Sequence, residues 1–544
     1  MKKLETDVVI IGGGATGAGV MRDCAMRGIK CILLEQYDIA SGATGRNHGL
    51  LHSGARYAVT DQHSAAECIK ENMILKQVAR HCIEPTNGLF ITLPEDDLAY
   101  VDNFVSACTS AGIQAERMDP AQALQMEPSA NPLLTAAVKV PDGTVDPFRL
   151  AASNMLDGIE RGGQIFNHTR VESLIREQGR INGVIARDLR NGELVEIRCQ
   201  YVVNAAGIWG QGISEYADLR VRMFPAKGAL LILEHRMNNM VINRCRKPAD
   251  ADILVPGDTV SVIGTTSTRI PYDQIEHLSC TPEEVDLLMA EGSKLCPSME
   301  HARVLRAYAG VRPLVSLGDD DSGRNITRGI VLLDHHERDG LDGFVTITGG
   351  KLMTYRLMAE RTTDLLAKKL GNSEPCRTAE IALPGSDVET TATTLASKTS
   401  RSVSGSAIYR HGTRGKKILE DKNTDQDSAL ICECEMVTRG EIEYAIRELK
   451  VDNMVDLRRR TRLGMGPCQG EMCAYRAAGL FNEFGAASEM ESVQLLADFL
   501  EERWKGCKPV LWNDTLREAE YAYWVYQGLF GLGDIADQDR EILL

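Results

Sequence analysis

The feature that most constrains this chain lies at its start. Asp7-Val8-Val9-Ile10-Ile11, a short apolar and β-branched run, passes straight into Gly12-Gly13-Gly14-Ala15-Thr16-Gly17. Such a run suits a strand buried on both faces. Gly12, Gly14 and Gly17 fall in a G-x-G-x-x-G pattern, and a helical stretch follows to Met26, stopped by Gly28. Cys31-Ile32-Leu33-Leu34 reads as a second strand that ends on Glu35. In this setting the first glycine permits a tight turn, the second lets backbone approach a pyrophosphate, and the third lets helix and strand pack closely. The helix start offers unpaired N–H groups to phosphate, and the acid can accept hydrogen bonds from ribose hydroxyls. A glycine-rich turn that binds nothing would not need both strands and the acid in register. The spacing therefore predicts a dinucleotide site. The motif alone does not separate FAD from NAD, although its place at the extreme N-terminus favours FAD.

At 544 residues the chain should hold roughly two to four domains. Its 61 basic and 76 acidic residues leave a net charge of −15. That argues against bulk nucleic-acid binding, which needs a positive footprint, but not against a small anionic substrate. No apolar run reaches the roughly 18 residues that a bilayer span requires, and the N-terminus lacks the apolar stretch of a signal peptide. An intracellular chain is expected, with any membrane contact indirect. Of 15 cysteines, eleven are scattered singly and read as small buried hydrophobes of a reducing compartment; four are clustered.

The next segment, Asp38 to Gly49, is rich in small and hydrogen-bonding residues, Ser41 and Thr44 among them, and can lie against a long cofactor. It continues into Leu51-His52-Ser53-Gly54-Ala55-Arg56-Tyr57, an H-x-G-x-R-Y segment. Farther on come Tyr201-Val202-Val203-Asn204-Ala205-Ala206-Gly207, Gly310-Val311-Arg312-Pro313-Leu314, Ile326-Thr327-Arg328 and Thr348-Gly349-Gly350-Lys351-Leu352. Together these resemble the flavin-dependent glycerol-3-phosphate dehydrogenase family, with Ser53 where that family more often has Gly. The resemblance implies an α/β fold, an FAD-binding Rossmann-like domain with an inserted antiparallel-sheet substrate domain. Gly/Pro-punctuated stretches near residues 224–228 and 253–266 agree with that insertion.

The resemblance also implies residue roles. Gly12, Gly14, Gly17, Glu35, Ser41, Thr44, Gly207, Gly349, Gly350 and Leu352 would hold FAD. Arg56, Tyr57, Arg328 and Lys351 would take the phosphate of glycerol 3-phosphate, which wants forked guanidinium donors and an ammonium. Any one of these cations alone is more often just a solvated surface residue; as a set inside matching motifs they point to phosphate. Oxidising the secondary alcohol moves a hydride to the flavin while the hydroxyl loses its proton. Arginine carries a base role in the family, but a guanidinium that stays protonated is a poor base. Arg312 is therefore assigned to the developing alkoxide and His52 to the proton, with a flavin-bonding or core histidine as the alternative for His52.

Near the C-terminus, Cys432-Glu433-Cys434 and Cys468-Gln469-Gly470-Glu471-Met472-Cys473 form two close pairs. The C-x-C, C-x4-C arrangement resembles the bacterioferritin-associated ferredoxin-like [2Fe–2S] domain, a small and mainly helical module, with a Cys₄ zinc site as rival. Expected boundaries are 1–375 for the flavin half, 376–428 for a linker region that is Ser/Thr-rich from 386 to 406, 429–480 for the iron–sulfur domain, and 481–544 for a helical tail. Arg458-Arg459-Arg460-Thr461-Arg462 reads as a solvated helix end or a docking patch for an acidic redox partner, and Trp504, Trp512 and Trp524 as core or interface.

The two modules together are similar to the anaerobic, three-subunit branch of the family. That resemblance implies a B subunit carrying flavin (FMN is possible there) and an iron–sulfur C subunit that anchors the complex to the cytoplasmic face of the inner membrane and feeds quinone. Two other readings stay open: an FAD-dependent amino-acid or amine oxidase, and a non-catalytic flavin/iron–sulfur electron carrier.

Overall fold

The computed structural model describes residues 1–316, 326–327, 329–386, 403–412, 414–415, 418 and 427–535. Arg328 and most of the Ser/Thr-rich segment lie outside the described residues.

Val8–Ile11 pairs in parallel with Cys31–Leu34 on one side and Tyr201–Asn204 on the other. Gln164–Phe166 and Phe344–Gly349 extend this sheet in parallel, and Ile330–Asp334 closes it antiparallel. All four residues of each of the three central strands are buried, which is why they are continuous apolar runs rather than alternating ones. Helices Ala15–Met26, Pro147–Glu160 and Tyr355–Leu370 cover one face and share its core through Met21, Met155 and Met358.

A second, ten-stranded sheet is assembled from three separate stretches of chain, within residues 88–140, 223–269 and 304–327. It is antiparallel as expected except at one join, where Val241–Arg244 runs parallel to Gly88–Thr92. Its longest strands, Met223–Leu233 and Val304–Ser316, carry Lys227 and Arg312 along one register. A four-stranded sheet with the order Lys2–Glu5, Leu194–Arg198, Arg180–Asp188, Thr169–Glu177 flanks the flavin half, and no motif pointed to it.

The C-terminal module opens with the hairpin Leu430–Cys432 and Val437–Thr438, then folds into helices. One core joins Cys432, Ile442, Leu457 and Cys473 to Phe499, Leu500, Tyr526 and Leu532, so the long helix Glu489–Cys507 packs within the same body as the cysteines.

The arginine run has neither of its expected roles. Arg460 forks onto Asp38 at 2.5 and 2.7 Å, with Asp38 only 1% exposed. Arg462 reaches Asp258 at 2.8 Å, Glu435 at 3.0 Å and Asp146 at 3.2 Å. Arg459 pairs with Asp456 on its own helix and lies 3.7 Å from Asp38. Asp38, Asp146 and Asp258 belong to the flavin half, so the run fastens the two modules together. His168 adds a bond to Asp456 at 3.0 Å across the same seam.

Candidate active site and iron–sulfur centre

The nucleotide cradle is built at the turn after the first central strand. Gly12 has φ +110°, and a Cβ there would lie 2.6 Å from the carbonyl oxygen of Ala205. A Cβ on Gly17 would meet the Gly12 carbonyl oxygen at 1.9 Å, so only glycine lets the helix start so close to the turn. Glu35 accepts hydrogen bonds from Gly13 N at 2.6 Å and Tyr37 N at 2.8 Å. Burial pushes its carboxyl above the usual range while the two N–H groups pull it back. A carboxylate has lone pairs left for a ribose after those two bonds. Thr44 Oγ1 accepts from Ala15 N at 3.0 Å, capping the first turn of the helix as well as lining the cleft.

A cavity of about 1280 Å³ runs from Gly12, Gly14 and Glu35, past Ser41, Thr44 and Gly207, to Gly349, Gly350 and Leu352. That exceeds the roughly 300–1,000 Å³ of common small-ligand sites, as a dinucleotide plus a small substrate requires. Gly17 is inside the helix turn rather than on the wall. Gly207, Gly349 and Gly350 all adopt positive φ, at +56°, +75° and +67°. The residues present fit FAD.

The far end of the same cavity gathers His52, Arg56, Tyr57, Arg312 and Lys351. Arg56 is held by Ala249 O at 2.8 Å and by the fully buried Asp252 at 3.3 Å through its Nη2. Its Nη1 is buried without an acceptor. A guanidinium fixed on one arm with the other arm dry is set up for an anion. The Lys351 ammonium lies 4.6 Å over the Tyr57 ring. Arg312 Nη2 donates to Thr265 Oγ1 and, at 3.1 Å, to Thr266 O, which fixes the direction of its fork.

Two histidines share this pocket, with ring centroids 6.0 Å apart. Burial holds both below the usual range. His48 is pushed to about 3, with Arg312 and Arg56 adding to the effect; His52 is depressed next by His48 and then by Arg56 and Lys351. His48 Nδ1 accepts from Leu50 N at 3.2 Å, so the neutral ring keeps its proton on Nε2 and offers a donor. His48 carried no signal of its own in the sequence, although it stands in the loop already singled out. Lys247 also lines the cavity, and Thr265 orients Arg312. Neither carried a signal, because their places depend on pairing between distant strands.

At the other centre, Cys432 ends a strand, Cys434 follows in the turn, and Cys473 immediately precedes helix Ala474–Glu483. Sulfur contacts run from Cys432 to Cys473, to Cys468 and on to Cys434. Cys432 and Cys468 are drawn to lower pKa by the thiols that bond to them, and Cys434 and Cys473 are raised. Four thiols brought together in two close sequence pairs can place two thiolates on each of two irons.

The comparisons agree with this geometry. Residues 7–356 match the FAD dependent oxidoreductase family and residues 430–483 the BFD-like [2Fe-2S] binding domain. The chain is 62% identical over 529 residues to the A subunit of the anaerobic glycerol-3-phosphate dehydrogenase of Escherichia coli K12, covering 97% of each. It is 60% identical to the corresponding protein of Haemophilus influenzae, covering 99% of this chain and 96% of that one. The fold matches a glycerol-3-phosphate dehydrogenase from Bacillus halodurans solved with FAD, at TM-score 0.69 and 23% identity, over 94% of this chain and 97% of the other. Its cofactors are FAD and a [2Fe–2S] cluster, and the zinc alternative falls away. The chain belongs to the FAD dependent oxidoreductase family and groups with the anaerobic glycerol-3-phosphate dehydrogenase A subunits, its flavin half followed by a BFD-like [2Fe–2S] binding domain.

Proposed function

We propose that this chain oxidises sn-glycerol 3-phosphate at C2 to dihydroxyacetone phosphate and passes the electrons to its own iron–sulfur cluster. The observation that carries the reading is Arg56: one arm is anchored on Asp252 and the other is buried without an acceptor, in the cavity that also holds Lys351, Arg312 and His52. Bound FAD supplies the hydride acceptor; the remaining tasks fall to the chain. Arg56 and Lys351 take the phosphate, and the family resemblance adds Arg328 as a third cation. Arg312, aimed by Thr265 and Thr266, steadies negative charge growing on the C2 oxygen.

His52 takes the hydroxyl proton. Its imidazole is kept neutral by burial, by His48 and by the fields of Arg56 and Lys351. A phosphate dianion between those cations cancels their field, which raises the basicity of His52 only when substrate is present. His48, whose free nitrogen carries a proton, is suited to donate rather than accept.

The family resemblance extends the proposal to a multi-subunit complex in which a flavin-containing B subunit joins a membrane-anchoring iron–sulfur C subunit, at the cytoplasmic face of the inner membrane, with quinone as final acceptor. Two features support a partner beside the cluster. Met472, between two of the cysteines, is 58% exposed, and Tyr475, Trp524, Leu529 and Phe530 nearby are exposed as well. Trp512 is exposed too, whereas Trp504 is partly buried against Tyr523. Among the described residues no helix is long and apolar enough to cross a membrane. The test is to add glycerol 3-phosphate anaerobically to the purified holoenzyme: the flavin absorption should bleach. Bleaching by an amino acid instead would make the chain an oxidase of the same fold. No bleaching by either would leave an electron carrier.

A further inference from the structure

We propose that the seam between the flavin half and the iron–sulfur module holds a second binding site, for a small oxyanion of the phosphate class, gripped by Arg306 and Arg458.

A cavity of about 270 Å³ lies there, lined by Ser41 and Arg46 of the flavin-side loop and by Gly464 and Met465 of the cysteine-bearing loop. Arg306 enters it from strand Val304–Ser316 and Arg458 from helix Met454–Thr461. Neither lines the larger cavity that fits FAD and substrate. The volume is slightly below the range of ordinary organic-ligand pockets, which suits a small ion with its water.

These two arginines break the rule their neighbours keep. Arg459, Arg460 and Arg462, on the same helix or at its end, each meet a carboxylate. Arg458 lies over the Phe499 ring at 5.9 Å, and its Nε is buried without an acceptor. Arg306 gives one long bond, 3.5 Å from Nη2 to the backbone oxygen of Glu502, and its Nε is likewise buried and without an acceptor. Burial, then Arg306 and Arg459, hold Arg458 down to about 9, while Glu502 and Asp456 act the other way. Arg306 is lowered by burial, with Cys507, Glu502 and Tyr308 acting the other way. Two guanidiniums that repel each other in a dry cavity are costly unless an anion joins them. An oxyanion with several acceptor oxygens can take a donor from each. Its position between the flavin-side loop and the cluster loop would also brace the two modules against each other.

Labelled inorganic phosphate in equilibrium dialysis tests this on the holoenzyme. The substrate site also takes phosphate, so the starting point is Arg56→Ala/Lys351→Ala. That variant should still retain phosphate, and adding Arg306→Gln and Arg458→Gln should abolish the retention. No retention in the first variant, or retention unchanged by the two further substitutions, overturns the proposal. Should the multiple variants fold poorly, melting temperature decides. Phosphate should raise the melting temperature of the unsubstituted holoenzyme above that in chloride of equal ionic strength. Arg306→Gln/Arg458→Gln should keep only the part of that increase that the substrate site supplies, and Arg56→Ala should keep the rest; an increase unchanged in Arg306→Gln/Arg458→Gln overturns the proposal. In phosphate-free buffer Arg458→Gln should melt no lower than wild type, since it removes a repelling charge. A lower value marks Arg458 as a structural prop and overturns the site.

Discussion

The nucleotide cradle and the seam between modules are held by opposite means. In the cradle, backbone and glycine do the work, within some thirty residues of chain: Gly12, Gly17, Glu35 and Thr44 all act on one turn. At the seam, charged side chains do it, and the partners are far apart in sequence. Arg460 and Asp38 are 422 residues apart, and Arg462 and Asp146 are 316 apart. A short motif can specify the first kind of site because the chain itself brings the parts together. The second kind exists only after both modules have folded, so it serves to orient one finished body against another.

If that contrast holds, the two regions must fail differently. The largest effect should come from Cys432→Ser/Cys434→Ser. Loss of two thiolates should remove the cluster's EPR signal and abolish onward electron delivery, while glycerol 3-phosphate still bleaches the flavin. A folded, FAD-loaded double variant that cannot reduce its flavin would show the two centres to be one functional unit. Arg460→Ala should come next, because it leaves Asp38 buried without its forked partner, with Arg459 at 3.7 Å and an Asn167 hydrogen bond as its remaining contacts of this kind. Breaking such a pair costs about 3 kcal/mol, read as a fall in denaturation midpoint, with slower cluster reduction and unchanged flavin bleaching. On the cradle side, Arg312→Lys should cut kcat about 100-fold and alter KM far less, since its charge matters most as the alkoxide forms. Steady-state kinetics showing a loss confined to KM would move it to the phosphate. Lys351→Ala should instead raise KM, by roughly 10-fold or more for a charge-assisted bond of about 1.5–3 kcal/mol.

The same contrast explains what could be read from sequence. The strand–turn–helix at residues 8–26 and the two close cysteine pairs were legible because each is a local pattern, whereas the inserted sheet, built from three separate stretches, came from the family resemblance with Gly/Pro-punctuated stretches in agreement. The arginine run looked like a solvated helix end or a docking patch because, Asp456 apart, its counterions Asp38, Asp146 and Asp258 lie far from it in sequence. His48 was hidden for a different reason. Its tautomer follows from a single backbone hydrogen bond, that of Leu50 N, which no residue pattern encodes. The parallel join of Val241–Arg244 to Gly88–Thr92 was equally silent, since a strand's residues do not announce the direction of a neighbour about 150 residues away.

The smallest expected effect sharpens the seam most selectively. His168 stands in the flavin half and meets Asp456 of the module at 3.0 Å, with Asp452 at 4.0 Å. The hydrogen bond to Asp456 raises its pKa; burial opposes this, and the charges of Asp456, Asp452 and Asp38 reinforce it. Protonated His168 is therefore favoured in the docked state. A group whose folded pKa lies above its unfolded value, 6.5 here, contributes fully below that value and loses its contribution as pH rises through the folded pKa. The difference in melting temperature between wild type and His168→Gln should thus be largest at mildly acid pH and shrink as the pH passes above neutrality. Subtracting the variant's curve removes the buried histidines of depressed pKa, such as His48 and His52, which titrate in both proteins and push the other way. A difference that stays constant from about pH 5.5 to about pH 8.5 would mean that His168 acts there as a neutral hydrogen-bonding group, and that the seam is held by arginine alone.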